Sequence, residues 1–220
     1  MIDQVEIRAM TAEDVPTAAA IHAHTLLDPW GRMGPRFLRT FYGEMIRLKE
    51  IALVATTGSA VIGFAVGSVR PGQLFAAVLH HRVIPLGLAA IPTLGRQPGM
   101  LPRFVRGLMK PADAHRPEGT ATLLFIAVSE HAQHHGIGRL LVRSLLVEAM
   151  ARGATRVDLQ TDRLSNDAAN AFYRSLGFRQ TGALAAGKRL VNTYELDLRQ
   201  PAGGLISVAD VADHSEQSDH

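Results

Sequence analysis

Between Val128 and Arg139 the chain reads Val-Ser-Glu-His-Ala-Gln-His-His-Gly-Ile-Gly-Arg, a pattern suited to holding a diphosphate. The run follows an apolar stretch, Thr122 to Val128, and leads into a helical pattern from Ile137. The first N–H groups of a helix lack partners within it and carry partial positive charge, so backbone that can be approached closely there attracts anions. Gly136 and Gly138 remove the side chains that would stand in the way. A bare Gly-x-Gly is also how an ordinary loop enters a helix, and two other phosphate motifs do not fit. The third glycine of a dinucleotide turn would fall on Leu141, and no Gly-Lys-Ser/Thr follows.

One strand further on stands Asn166-Asp-Ala-Ala-Asn-Ala-Phe-Tyr173-Arg-Ser-Leu-Gly-Phe178. At about 100° per residue, the separation of Asn166 from Tyr173 returns to within roughly 20° of one direction, so both polar groups share a helix face. Ala169 and Phe172 leave the neighbouring face free to pack. Taken singly, Asn166 is a helix cap and Tyr173 a core-edge aromatic. Together with the glycine turn they point to a ligand site.

The elements that must carry these residues follow from periodicity. Val5, Ile7 and Ala9 alternate as in a half-buried strand, and Thr11 with Asp14 offers a capping side chain for a helix ending near Thr25. Phe37, Leu38, Phe41, Met45 and Leu48 predict a second helix over Pro35 to Lys49. Ile51 to Thr57 and Ala60 to Val69, joined at Gly58-Ser59, predict a hairpin. After the strand at Thr122 to Val128 comes a helix from Ile137 to Arg152, with Ile137, Leu140, Leu141, Leu145 and Ala149 as its apolar face and Gly153 at its end. A strand at Val157 to Thr161, a helix at Asn166 to Leu176, and strands at Phe178 to Ala183 and Leu190 to Leu198 complete the expected order.

Pro71 to Gly119 differs in composition, with seven prolines and Arg82, Arg96, Arg103, Arg106 and Lys110 among apolar residues. It reads as an insertion of short helices interrupted at each proline, since an interior proline costs a helix about 3 kcal/mol. Residues 201 to 220 are small, polar and acidic, and are expected to be disordered. A length of 220 residues with 47% hydrophobic content suits one domain, over 1–200. The formal charge of +3 gives no polybasic surface, so nucleic acid is not an expected partner. Cysteine is absent, which excludes disulfides, cysteine-ligated zinc and a thiol nucleophile. Met1 to Met10 lacks a secretory h-region, and Val83 to Gly95 is shorter than the roughly 20 residues of a membrane span, so a cytoplasmic protein is expected.

At Gln133-x-x-Gly136-x-Gly138 and at Asn166 to Phe178 the sequence resembles the GNAT N-acetyltransferase family, over about Leu123 to Phe178. The resemblance implies an α/β fold with a mixed, mostly antiparallel central sheet flanked by helices, here with a helical insertion between strands 3 and 4 near the acceptor side. It implies acetyl-CoA as acyl donor. The backbone of Ile126, Ala127 and Val128 would pair with the pantetheine arm, and Gln133, His134, His135, Gly136, Ile137, Gly138 and Arg139 would form the pyrophosphate cradle. Asn166 would bond the CoA arm, Tyr173 would protonate the departing thiolate, and the Val128 amide would polarise the thioester carbonyl. Two positions depart from the family pattern: Glu130 replaces a frequent proline, and Thr161 stands where enzymes acting on protein N-termini often carry a basic glutamate. Threonine cannot serve as that base, which argues against this substrate class.

An ammonium acceptor must lose a proton before attacking a thioester. Glu130 is the leading candidate for that role, with His131, Asp28 and His24 as alternatives; each is also explained as a surface residue. His134 and His135 are expected to neighbour anions, and no metal site is expected. The partner expected is a small-molecule amine such as an amino sugar, for which the insertion is a lid or wall. A packing, membrane-surface or homodimer role for the insertion stays open, as do O-acyl transfer and a non-catalytic CoA-binding or protein-interaction module.

Overall fold

The computed structural model describes residues 4–26, 28–78, 117–186 and 189–199. In chain order these form β1 (Val5–Ala9), α1 (Val15–Thr25), a 3-10 turn (Gly31–Met33), α2 (Pro35–Arg47), β2 (Ile51–Thr57) and β3 (Ala60–Ser68). Then come β4 (Thr120–Val128), a 3-10 turn (Glu130–Ala132), α3 (Ile137–Ala151), β5 (Arg156–Asp162), α4 (Asp167–Ser175), β6 (Arg179–Ala186) and β7 (Arg189–Asp197). Residues 71–78 are helical, and Leu74 and Val78 there are buried. The rest of the expected insertion up to residue 116, with its arginines and Lys110, and the tail from 201 lie outside the described residues.

The strands form one sheet in the order β1-β2-β3-β4-β5-β7-β6. Neighbours run antiparallel except β4 and β5, which are parallel. Each face of the sheet carries its own core. On one face α3 buries Ile137, Leu141, Leu145 and Ala149 over β2 to β5, continued by Tyr173, Leu176 and Phe178. On the other, α1 and α2 bury Ala18, Phe37, Leu38, Phe41 and Met45 against Val54, Phe64 and Val66. A helical stripe on either side of an alternating sheet is how apolar area leaves water on both faces.

Two local expectations are corrected. Leu140 is 41% exposed; the buried stripe of α3 centres on Leu141 and Leu145, and at about 100° per residue Leu140 points roughly 120° away from that centre. Asp14 precedes α1 but makes no side-chain cap. Its carboxylate takes two bonds from the Arg8 guanidinium, at 2.7 and 2.9 Å, and two from Thr11, at 2.8 and 2.9 Å. A charged, bidentate donor outcompetes neutral helix amides. Arg8, then Thr11, hold the carboxyl down at about 2 despite its burial.

Candidate active site

The candidate donor half begins where two strands part. β4 and β5 pair only from Thr120↔Arg156 to Leu123↔Leu159. Beyond that β5 continues beside β7 to Asp162 while β4 continues beside β3 to Val128, so a seam opens between them. Burial follows the parting: β4 is buried through Leu123, and residues 124–126 and 128 are half-buried. Antiparallel strands use alternate residues for their ladder. Ser129 donates to the Ile62 carbonyl at 2.8 Å, so Ala127 and Ser129 face β3 and the peptide groups of Ile126 and Val128 face the seam. Ala127, expected among the pairing residues, is therefore engaged in the sheet.

The seam leads to the glycine turn. Gln133 Nε2 donates to the Val128 carbonyl at 3.0 Å and braces the turn against the strand end. His134 (φ 65) and Gly136 (φ 79) are left-handed, a curl of the kind that gathers successive N–H groups into an anion-binding concavity. The backbone amides from His134 to Gly138 make no hydrogen bond among the described residues. That of Arg139 donates to the Gly136 carbonyl at 2.9 Å, which removes it from the expected cradle, and its guanidinium bonds Ser175 Oγ at 3.0 Å. His134, His135 and Gly136 are exposed, and His135 Nδ1 donates to the Gln133 carbonyl at 2.7 Å.

The two glycines differ in purpose. A Cβ on Gly136 would meet nothing within 4 Å, so the site needs glycine for its backbone angle and leaves open space in front. A Cβ on Gly138 would lie 3.4 Å from the Phe172 ring. Gly138 is thus where α4 packs on the start of α3.

Across the seam, Asn166 is the N-cap residue of α4, yet its amide donates to Thr161 Oγ1 at 2.8 Å instead of capping the helix. Tyr173 is 8% exposed, with Phe172, Phe178 and Tyr194 around it. Burial drives its phenol well above its ordinary 10. Between these residues sits Asn170, which sequence reasoning missed. Its Nδ2 donates to the carbonyls of Asp162 (2.9 Å) and Asn166 (2.7 Å), and its Oδ1 accepts from Asn192 and Tyr194, both at 2.8 Å. A polar residue four after Asn166 and three before Tyr173, on the same helix face, was the available signal. It holds α4 to β5 and β7.

Of the residues expected on the acceptor side, Glu130 and His131 are exposed on their 3-10 turn, and His131 Nε2 lies 3.4 Å from Ser129 Oγ. His24 is exposed. Asp28 contacts His22, a buried residue that sequence reasoning did not single out. Among the described residues no group of His, Asp or Glu is arranged to hold a metal ion, and no helix is long and apolar enough to cross a membrane.

A seam beside a curl of amides unpaired among the described residues has the geometry of an anion-binding cleft. The Acetyltransferase (GNAT) family model matches residues 20–178. The chain belongs to the GNAT acetyltransferase family. Acetyl-CoA is the acyl donor of that family, and a yncA acetyltransferase structure from Salmonella typhimurium, containing acetyl-CoA, shares this GNAT fold (TM-score 0.60, 18% identity, 91% of this chain and 97% of that one). So do SsHAT (TM-score 0.65, 22%, covering 90% and 100%) and the ribosomal-protein-S18-alanine N-acetyltransferase of Escherichia coli (TM-score 0.55, 20%, covering 92% and 99%). In sequence, the chain is 45% identical over 60 residues to the ribosomal protein bS18 alanine N-acetyltransferase of Salmonella typhimurium. That match covers 27% of this GNAT chain and 40% of the relative's length.

Proposed function

We propose that this protein transfers the acetyl group of acetyl-CoA to a primary amine, by direct attack with donor and acceptor bound together. The observation that carries this reading is the row of amides from His134 to Gly138, unpartnered among the described residues, at the end of an open seam. Those amides would hold the diphosphate, as expected of positive helix ends. The seam-facing peptide groups of Ile126 and Val128 would pair with the pantetheine arm, and Asn166 would stand along its other wall. Bound there, acetyl-CoA supplies a thioester carbonyl open to attack.

The chain's own groups then have three tasks. The Val128 N–H stabilises charge gathering on the carbonyl oxygen. Tyr173, its phenol kept neutral by burial, supplies a proton to sulfur as the C–S bond breaks; a thiolate in the same dry surroundings is pushed up as well, which offsets the weaker acidity of the phenol. A third group must strip the incoming ammonium, and Glu130, exposed beside Val128, can do so only for an acceptor that arrives from solvent.

For the acceptor, the end of β5 is informative. Thr161 is occupied by Asn166, and Asp162 is clamped by Arg189 at 2.7 and 2.5 Å. Neither offers the free carboxylate expected of enzymes that act on protein N-termini, which favours a small-molecule amine such as an amino sugar. The match to bS18 alanine N-acetyltransferases favours a second reading, the α-amine of an N-terminal alanine. Thiol release should be followed with acetyl-CoA and glucosamine, an alanine-initiated peptide, a lysine peptide and an alcohol. Release with an amine supports the proposal. Release with the alcohol alone would make the chain an O-acyltransferase, and CoA binding without any release would leave a non-catalytic module.

A further inference from the structure

On the α1/α2 face of the sheet a buried polar chain takes no part in the chemistry above. His22 is 0% exposed, as is Tyr42. The Tyr42 hydroxyl meets His22 Nδ1, and His22 Nε2 lies 3.1 Å from Asp28 Oδ1. A carboxylate only accepts, so Nε2 carries the ring proton and Nδ1 accepts from the tyrosine. Asp28 Oδ1 also receives the Gly31 amide at 2.6 Å. Oδ2 has no partner among the described residues, and the Asp28 side chain is 19% exposed. One carboxylate oxygen is thus fixed by two donors while the other is left unpaired among the described residues. The turn closes this tightly only on glycine: a Cβ on Gly31 would come within 2.3 Å of the Leu26 carbonyl and 3.3 Å of Asp28 Oδ1.

If anchoring the turn were the whole task, the Gly31 amide would serve. Burying an imidazole and a phenol behind the carboxylate adds desolvation that a plain surface turn does not need. The place of the chain matters too. His22 packs against Phe125 with ring centroids 4.8 Å apart, and Trp30 lies 5.7 Å from the same ring. Phe125 belongs to the part of β4 beyond Leu123, where β5 has parted, and it adjoins seam-facing Ile126. The titratable groups meeting Asp28 among the described residues are His22 and, through it, Tyr42.

We infer that Asp28 is the group that takes the proton from the acceptor ammonium, with His22 and Tyr42 as positioning residues behind it. The inference rests on the acyl-transfer reading and assigns its missing third task. An N–H proton passes to Asp28 Oδ2, and the freed lone pair forms the new C–N bond. The nitrogen, cationic once that bond forms, gives a second proton to water as the C–S electrons leave on sulfur, which takes the Tyr173 proton; Asp28 gives its proton to water, and the phenolate recovers one from water. Glu130 lacks the fixed orientation that Asp28 has, because no described residue holds its carboxylate.

The test compares wild type with D28N, H22Q, Y42F and E130Q, using glucosamine and the alanine-initiated peptide as protonated acceptors and hydroxylamine, unprotonated at neutral pH, as an acceptor that needs no base. D28N should lose about 100-fold in turnover of the protonated amines at pH 7 and under tenfold with hydroxylamine. Its residual rate should climb tenfold per pH unit toward the amine pKa. H22Q and Y42F should show smaller losses with the same acceptor dependence, while calorimetry finds unchanged acetyl-CoA affinity in all three. Equal losses with both kinds of acceptor would make the cluster structural only, and a larger selective loss in E130Q would move the role to Glu130. Wild type active on hydroxylamine alone would rule out any such base. Activity with none of the acceptors would sink the acyl-transfer reading itself, and Asp28's role with it.

Discussion

The two halves of the proposed site are built from different materials. On the proposed donor side the working groups would be main chain: the amides of His134 to Gly138 and the peptide units of Ile126 and Val128, left open because a turn is left-handed and a strand pair ends early. On the proposed acceptor side they would be side chains, Asp28 backed by His22 and Tyr42, gathered by a loop between two helices. A diphosphate has one shape and charge whatever the reaction, so backbone and a helix end suffice to hold it. An acceptor is particular to each enzyme, and particularity needs side chains.

Substitutions that act on one half and spare the other sharpen this contrast, and the largest effect is expected at Tyr173. Tyr173→Phe should lower turnover by about 100- to 1,000-fold while acetyl-CoA affinity stays as it was; unchanged turnover would remove the phenol from the chemistry. Gly136→Val should weaken acetyl-CoA binding about 100-fold, because the open space before that Cα is where the diphosphate would lie, and should cost only about 1–2 kcal/mol in stability from the left-handed angle. Normal binding by calorimetry would break the donor side of the comparison.

Gly31→Ala addresses the other half. Its methyl cannot fit beside the Leu26 carbonyl, so the turn must shift and carry Asp28 with it. About tenfold loss in acceptor kcat/KM is expected with acetyl-CoA affinity intact, alongside roughly 1–3 kcal/mol of destabilisation in denaturant titration. Equal damage to both substrates would show that the halves are not separable.

Two smaller effects serve as controls. Gly138→Ala places a methyl in ordinary contact with Phe172 and should change acetyl-CoA affinity less than threefold. Arg8→Ala, far from either half, should cost about 1–2 kcal/mol at neutral pH and leave both substrates untouched. Asp14 titrates at about 2 in the fold against an ordinary 3.8, so the stability its pairing provides is complete above 3.8 and is lost as pH falls toward 2. The gap between Arg8→Ala and wild type should therefore close over that acid window in pH-dependent melting.

The order of elements was legible because each helix and strand carries its period in nearby residues, and Gly136 with Asn166 and Tyr173 marked the half proposed above to take the donor. Local reasoning went astray where a choice depended on distant groups. Asp14 looked like a helix cap until Arg8, six residues away on β1, claimed it. Leu140 fitted an apolar stripe whose centre only the sheet decides. Arg139 and Ala127 had the right positions for a cradle and an arm, but their peptide groups were already engaged, one in a helix turn and one in the sheet.

What the sequence determined by itself was short-range: apolar periods, the glycine turn before α3 and the Asn166–Tyr173 helix face. Backbone preferences act over a few residues and are written there. The tertiary structure alone decided that β4 and β5 part after Leu123, that Asn170 is the buried tie beneath α4, and that His22 and Tyr42, twenty residues apart, close on one another behind Asp28. Those meetings depend on how the helices lie across a seven-stranded sheet, and packing of that range leaves no mark in any one stretch of chain.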